Sequence, residues 1–170
     1  KVMNSYRDFE APGRSMAVGA NGMVATSHPQ STLAALDVLR EGGNAIDAAV
    51  CAAAVQAVVE PTQTGVGGDC FALLMREGEA KPTALNGSGW SPKAAEAERY
   101  RRAGMTEIIS ETPHSVTIPG AIAAWERLLL DHGKLSLARI LAPAIEAAEK
   151  GSCITERLAR DWGRQLTKLG

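Results

Sequence analysis

Aromatic side chains are scarce in this sequence: two Phe, two Tyr and three Trp among 170 residues. That argues against a β-sandwich with a core of large rings, and the abundant alanine points instead to closely packed helices. An excess of one charge is missing too. Eighteen Lys and Arg against nineteen Asp and Glu leave a net charge of −1, so no field favours a nucleic acid or an anionic membrane as partner. Cysteine is limited to Cys51, Cys70 and Cys153, an odd number without a Cys-x-x-Cys pair. This argues against a disulfide framework and fits a reducing compartment. His28, His114 and His132 are dispersed without metal-ligand spacing, so they read as surface or capping residues and no metal or cofactor is expected.

Long apolar runs are lacking as well. The most apolar stretch, residues 48–59, is about twelve residues, against the roughly 20 that a bilayer-spanning helix needs. Residues 1–14 carry charges but no apolar signal-peptide core. The expected compartment is the cytoplasm; a signal peptide trimmed ahead of Lys1 would make it the periplasm.

What is present reads mostly as helix. Residues 1–20 look irregular, with Pro12 and Gly13 as breakers, and residues 23–26 are a short β-prone run after Asn21-Gly22. Pro29 opens a helix to about Glu41, with Leu33, Leu36 and Leu39 on one face and Gly42-Gly43 at its end. Asn44 is a good N-cap for a second helix, residues 45–59, with Asp47 in its first turn. That helix is apolar almost all round and should be buried. Residues 70–75 read as a buried strand and 82–85 as its hairpin partner across Glu77-Gly78-Glu79. A helix from Ser91-Pro92 to about Ala103, a short strand at 115–118, and helices at 121–131, 136–150 and 154–169 complete the chain. So few strands make an incomplete sheet.

Between the second helix and the first strand lies Thr64-Gly65-Val66-Gly67-Gly68-Asp69. A phosphate loop runs strand, glycine turn, helix, so that helix amides meet the anion. Here a helix precedes and a strand follows, and no Lys-Ser/Thr is attached. The glycines therefore read as a bend, allowing positive φ or close backbone approach where a buried helix hands over to a strand, with Thr64, Gly67, Gly68 and Asp69 as candidates to line a site.

Gly42-Gly43-Asn44-Ala45-Ile46-Asp47-Ala48-Ala49, Val59-Glu60-Pro61, the glycine turn running into Phe71, and Pro119-Gly120 with the helix behind it occur in fixed order over most of residues 14–160. This pattern resembles the start of the γ-glutamyltranspeptidase family. The resemblance implies an α+β chain forming part of a four-layer αββα N-terminal-nucleophile hydrolase sandwich, with residues 1–170 as an incomplete domain of the large subunit. It also implies a proenzyme that cleaves itself into large and small subunits. The new N-terminal threonine of the small subunit is then the nucleophile, with its own α-amino group as base. No catalytic residue is expected in these 170 residues, and the small subunit of the same precursor is the expected partner. Thr26-Ser27-His28 and Thr112-Pro113-His114 imitate the nucleophile only superficially; the first is the lead-in to a helix, and neither has an oxyanion pair or a base–orienter chain.

One departure bears on substrate. Transferring members of the family carry an arginine after the hairpin's second strand that grips the substrate α-carboxylate. Here Ser88 stands at that position, in Asn86-Gly87-Ser88-Gly89-Trp90. A neutral hydroxyl cannot replace a charged fork. The segment is more similar to the branch that includes oxamate-type amidohydrolases, although Trp90 replaces an arginine usual even there. Asn86, Ser88 and Trp90 are the candidate substrate-binding residues for a small amide or γ-glutamyl compound. The alternatives are a true γ-glutamyl transferase and glutathione hydrolase, or a non-catalytic structural fragment.

Overall fold

The structure is a computed structural model and describes residues 16–110 and 112–169. The irregular segment expected at 1–20 lies mostly outside them. The elements run α1 (Pro29–Arg40), α2 (Ala45–Val59), β1 (Cys70–Leu74), β2 (Thr83–Gly87), α3 (Ala97–Arg102), a single 3-10 turn at Pro113–Ser115, then α4 (Ala121–His132), α5 (Leu137–Lys150) and α6 (Glu156–Leu169). The chain is α+β: helices packed around one helix and beside one antiparallel hairpin.

α2 is the hub because only Asp47 and Gln56 interrupt its apolar surface. It packs against α1, α5 and α4, and α4 in turn lies against the hairpin. Val38, Val55, Val59 and Ile140 are fully buried, each contributing about 1.5–3 kcal/mol by removal from water. Alanines let the helices approach closely enough for the buried Ser31 hydroxyl to donate to Ala52 O at 2.7 Å.

The start of α2 is held by a capping box. Asn44 Oδ1 accepts from the Ile46 and Asp47 amides at 2.9 and 3.0 Å, and Asp47 Oδ2 accepts from Asn44 N at 2.8 Å. Asp47, fully buried, reaches further: its carboxylate accepts from Lys134 N at 3.0 and 3.1 Å and from Leu135 N at 3.3 Å. Asn44 Nδ2 donates to His132 O at 2.5 Å. One cap thus fixes the α4–α5 corner to the start of α2.

At the other side, Arg139 grips Glu41 with two bonds, Nε to Oε2 at 2.6 Å and Nη2 to Oε1 at 2.5 Å. These bonds hold the Glu41 carboxyl below its ordinary value of 4.5, with burial opposing. A depressed folded-state value gives stability that is present above the unfolded value and lost as pH falls through the folded one. Glu41→Gln is therefore expected to flatten the fall of the thermal midpoint below about pH 4.5. An unchanged acid slope in a pH series of melting curves would show that the pair contributes nothing.

Several expected elements differ. Leu33 is 55% exposed, and the buried ridge of α1 is Ser31, Ala34, Ala35 and Val38, because these smaller residues fit the alanine surface of α2. Residues 23–26 form no strand among the described residues. β1 is buried on one face only: Phe71 and Leu73 point outward at 70% and 77% exposure. β2 starts after Pro82, which has no N–H to donate, and runs to Gly87 opposite Cys70. The helix expected from Ser91-Pro92 begins only at Ala97; a turn, Ala95 N to Pro92 O at 2.8 Å, precedes it. The strand expected at 115–118 makes one sheet-like bond, Ile118 N to Trp90 O at 2.9 Å, before Pro119 and Gly120 lead into α4.

Candidate functional site

Three backbone segments meet at the end of the hairpin where Cys70 pairs with Gly87. The glycine turn enters β1 there, Ser88-Gly89-Trp90 leaves β2 there, and residues 117–120 arrive from the 3-10 turn. Asp69 immediately precedes the last pair, so its carboxylate reaches the departing chain: Oδ1 accepts from Gly89 N at 2.6 Å and from Thr117 Oγ1 at 3.5 Å. Gly68 O accepts from Gly120 N at 3.0 Å and Ala121 N at 2.9 Å. The carbonyl thereby caps α4, whose N-cap residue is a glycine with no side chain to do so.

The glycines that matter are not those the sequence singled out. A Cβ on Gly65, Gly67 or Gly68 would meet nothing within 4 Å, and none of the three has positive φ. The bend itself therefore demands no glycine among the described residues. Gly87, Gly89 and Gly120 do face close backbone. A Cβ on Gly87 would lie 2.5 Å from Ala124 Cβ, one on Gly89 would overlap Ile118 O, and one on Gly120 would overlap Gly87 O.

Between these segments and α4 lies an open groove of about 300 Å³, at the lower end for small-molecule sites. Asn86, Ser88 and Trp90 form one wall, Ile118 and Pro119 the other, and Ala123, Ala124 and Arg127 of α4 the floor and mouth. Asn86 Oδ1 accepts from Ser88 N at 3.0 Å, an Asx turn that sets the direction of the Ser88 side chain. No bond engages the Ser88 hydroxyl among the described residues. The Trp90 indole is 83% exposed while its carbonyl is held by Ile118.

Of the seven sequence-derived candidates, Asn86, Ser88 and Trp90 come together in the groove, and Gly68 and Asp69 brace it from behind. Thr64 and Gly67 are not brought to it. Thr64 belongs to the corner after α2, its amide donating to Glu60 O at 3.3 Å, and Gly67 is exposed. Arg127 was missed because it lies almost forty residues from Trp90. The signal was helical: 120, 123, 124 and 127 share one face of α4, beneath Pro119.

The other reactive groups are tied into structure. Thr26 Oγ1 donates to His28 O at 2.8 Å and His28 Nδ1 accepts from Gln30 N at 3.2 Å, both at the start of α1, while Ser27 Oγ donates to Glu60 Oε2 at the end of α2. His114 packs edge-on against Tyr100. Burial pushes the Cys51 thiol up to about 11. Burial also raises Cys70, with a hydrogen bond to Trp125 opposing, so neither is a thiolate at neutral pH. Among the described residues no group of three His, Cys, Asp or Glu could hold a metal ion, and no helix is long and apolar enough to cross a membrane.

Comparison with known proteins agrees with this architecture. Residues 31–170 match the family model described as Gamma-glutamyltranspeptidase. The chain is 37% identical over 153 residues to the glutathione hydrolase-like YwrD proenzyme of Bacillus subtilis, covering 89% of this chain and 29% of that protein. It is 37% identical over 158 residues to the oxamate amidohydrolase proenzyme of Klebsiella pneumoniae, with the same two coverages of 89% and 29%. The crystal structure of cephalosporin acylase from Bacillus halodurans superposes with a TM-score of 0.88 at 41% identity, over 99% of this chain and 31% of that one. The chain therefore spans under a third of the length of these relatives. Because that family model spans well over half of the sequence, the chain belongs to the γ-glutamyltranspeptidase family.

Proposed function

We propose that residues 1–170 are the N-terminal part of the large subunit of a self-processing amide hydrolase or acyltransferase, and an incomplete domain by themselves. The nucleophile is a threonine freed at the N-terminus of the small subunit, outside these residues. Its Oγ adds to the amide carbonyl while its α-amino group takes the proton. The C–N bond then breaks, the proton passes to the leaving amine, and water or a second amine releases the acyl group. This chain contributes one wall of the acyl pocket, through Asn86, Ser88 and Trp90. The outward Phe71 and Leu73 of the hairpin are the face that the remainder of the precursor covers.

The observation that carries this reading is Ser88. It stands free in the groove at the position where the resemblance implies a carboxylate-gripping arginine in transferring members. An uncharged residue there favours acyl amides over γ-glutamyl compounds. The likeness to an oxamate amidohydrolase and a cephalosporin acylase supports that direction. The unpaired cysteines favour the cytoplasm as compartment.

The test is purified full-length proenzyme offered γ-glutamyl anilide, oxamate and simple acyl amides, with amine release measured. Cleavage of acyl amides, with weak γ-glutamyl turnover that Ser88→Arg raises about tenfold or more, is the expected result. No amine from any substrate would end the amide-cleaving reading. Strong γ-glutamyl turnover that arginine does not improve would instead favour a true γ-glutamyl transferase.

A further inference from the structure

We infer that the edge of α6 formed by Trp162 and Leu166 is a docking surface, and that the stretch of the large subunit following residue 170 is what covers it. The inference rests on the reading above that the precursor continues past these residues, and it adds where the continuation seats. α6 starts on local signals. Thr155 Oγ1 accepts from Leu158 N at 3.2 Å and Thr155 O accepts from Ala159 N at 2.9 Å. Arg157 Nε donates to Asp161 Oδ2, one turn on, at 2.7 Å. Leu158, Trp162 and Leu166 follow at intervals of four and form one apolar stripe.

The helix does not rest on that stripe. Leu158 is buried and Asp161 and Gln165 are half-buried, with Asp161 Oδ2 also accepting from Gln63 Nε2 at 3.4 Å. Trp162 and Leu166, the next positions round the helix, are 41% and 65% exposed. α6 makes no extensive contact with another helix or strand among the described residues, and a helix of 14 residues is marginal in water by itself. Rolling it by one residue position would seat Trp162 in place of Asp161 and Leu166 in place of Gln165. A helix that instead seats its polar residues and leaves the apolar edge open has a second partner along that edge.

That partner is in the same polypeptide. These residues span 29% of the two proenzyme relatives, so more than two thirds of such a precursor lies elsewhere in the chain. A tethered segment meets α6 at an effective concentration on the order of millimolar, well above that of a second copy in dilute solution. Consecutive elements usually lie beside one another, and the chain leaves α6 past Leu166, at the open end of the edge. Arg157, Arg160 and Arg164 stand on the far side of the helix from Trp162, so the edge itself carries no charge and suits an apolar segment.

The experiment uses full-length proenzyme. L166C and R160C are each placed in a C153S background, which removes the exposed native thiol, and labelling rates are measured. L166C should react about tenfold or more slowly than R160C in native protein at every protein concentration, and equally fast in denaturant. With p-benzoylphenylalanine in place of Leu166, irradiation should join α6 to large-subunit peptides that follow residue 170, without a dimer band. Hydrogen exchange of the unmodified proenzyme needs no variant: peptides of α6 should be as protected as those of α5. Equal native labelling of the two thiols, exchange of α6 as fast as an unfolded segment, or crosslinks absent or confined to the small subunit overturn the inference. So does protection that appears only as concentration rises, with a dimer band, which marks a second copy. Protection that appears only on adding phosphatidylglycerol vesicles marks a membrane and overturns it as well. None of these readouts requires turnover. An inactive proenzyme with α6 protected and crosslinked ends the amide-cleaving reading and supports this inference; an active one with α6 bare overturns this inference alone.

Discussion

Replacing Asp47 with alanine should lower stability by about 3–5 kcal/mol, among the largest single-residue effects in the chain. The carboxylate accepts four hydrogen bonds from three backbone amides in two places: Asn44 N in its own cap, and Lys134 N and Leu135 N at the α4–α5 corner. Alanine removes the acceptor but leaves those amides where water cannot reach them freely, and each unsatisfied donor costs about 1–3 kcal/mol. Asn44 also holds His132 O, so loosening the cap frees both sides of the corner together. Asp47→Asn, which keeps one acceptor oxygen, should cost less, about 1–2 kcal/mol. Urea unfolding of the full-length protein, read as a shift in midpoint at unchanged slope, measures both. Equal stability of Asp47→Ala and wild type would mean that the corner is held by apolar packing alone.

That residue also marks how far the sequence reaches. Asn44 with Asp47 three positions on is a local signal, and it announces the start of α2 correctly because all of its consequences lie within one turn. The same carboxylate bonding an amide 87 positions later has no local trace. Spacing in sequence says nothing about which distant corner will be folded against a cap. The α1 ridge shows the same limit: Leu33, Leu36 and Leu39 satisfy a helical pattern, yet the partner surface is alanine, and the smaller residues win the contact. The strand expected at 115–118 fails for a related reason. A strand needs a ladder, and among the described residues the segment 116–118 makes a single backbone bond to a distant segment, Ile118 N to Trp90 O.

In the groove, what was legible was the hairpin wall, because Asn86, Ser88 and Trp90 are close in sequence as well as in space. The glycine turn was legible as a turn, but its role was misread. It braces the site through a carbonyl and an aspartate rather than through its glycines. Arg127 was invisible until α4 was laid against the hairpin, since only tertiary packing brings that face beneath Pro119.

Gly89→Ala is the sharpest test of this bracing. The methyl group it adds would overlap Ile118 O, a backbone atom that cannot rotate aside. Nor can the segment shift easily: Ile118 N is bonded to Trp90 O, and two residues further on Gly120 N and Ala121 N are bonded to Gly68 O. Relief must come from moving residues 88–90, which breaks the Gly89 N bond to Asp69 and displaces Ser88 and Trp90 from the groove. The expected cost is about 2–3 kcal/mol in stability, with a fall in kcat/KM of about tenfold or more even in the folded fraction, because a wall displaced by 1 Å no longer positions the acyl group. Gly67→Ala is the matched control. It adds the same methyl to a glycine with ordinary φ and nothing within 4 Å, so stability should change by less than about 1 kcal/mol and activity should hold. Thermal unfolding and amide turnover on both variants separate the two cases. If Gly89→Ala behaves like Gly67→Ala, the close packing of residues 89 and 118 does not shape the groove.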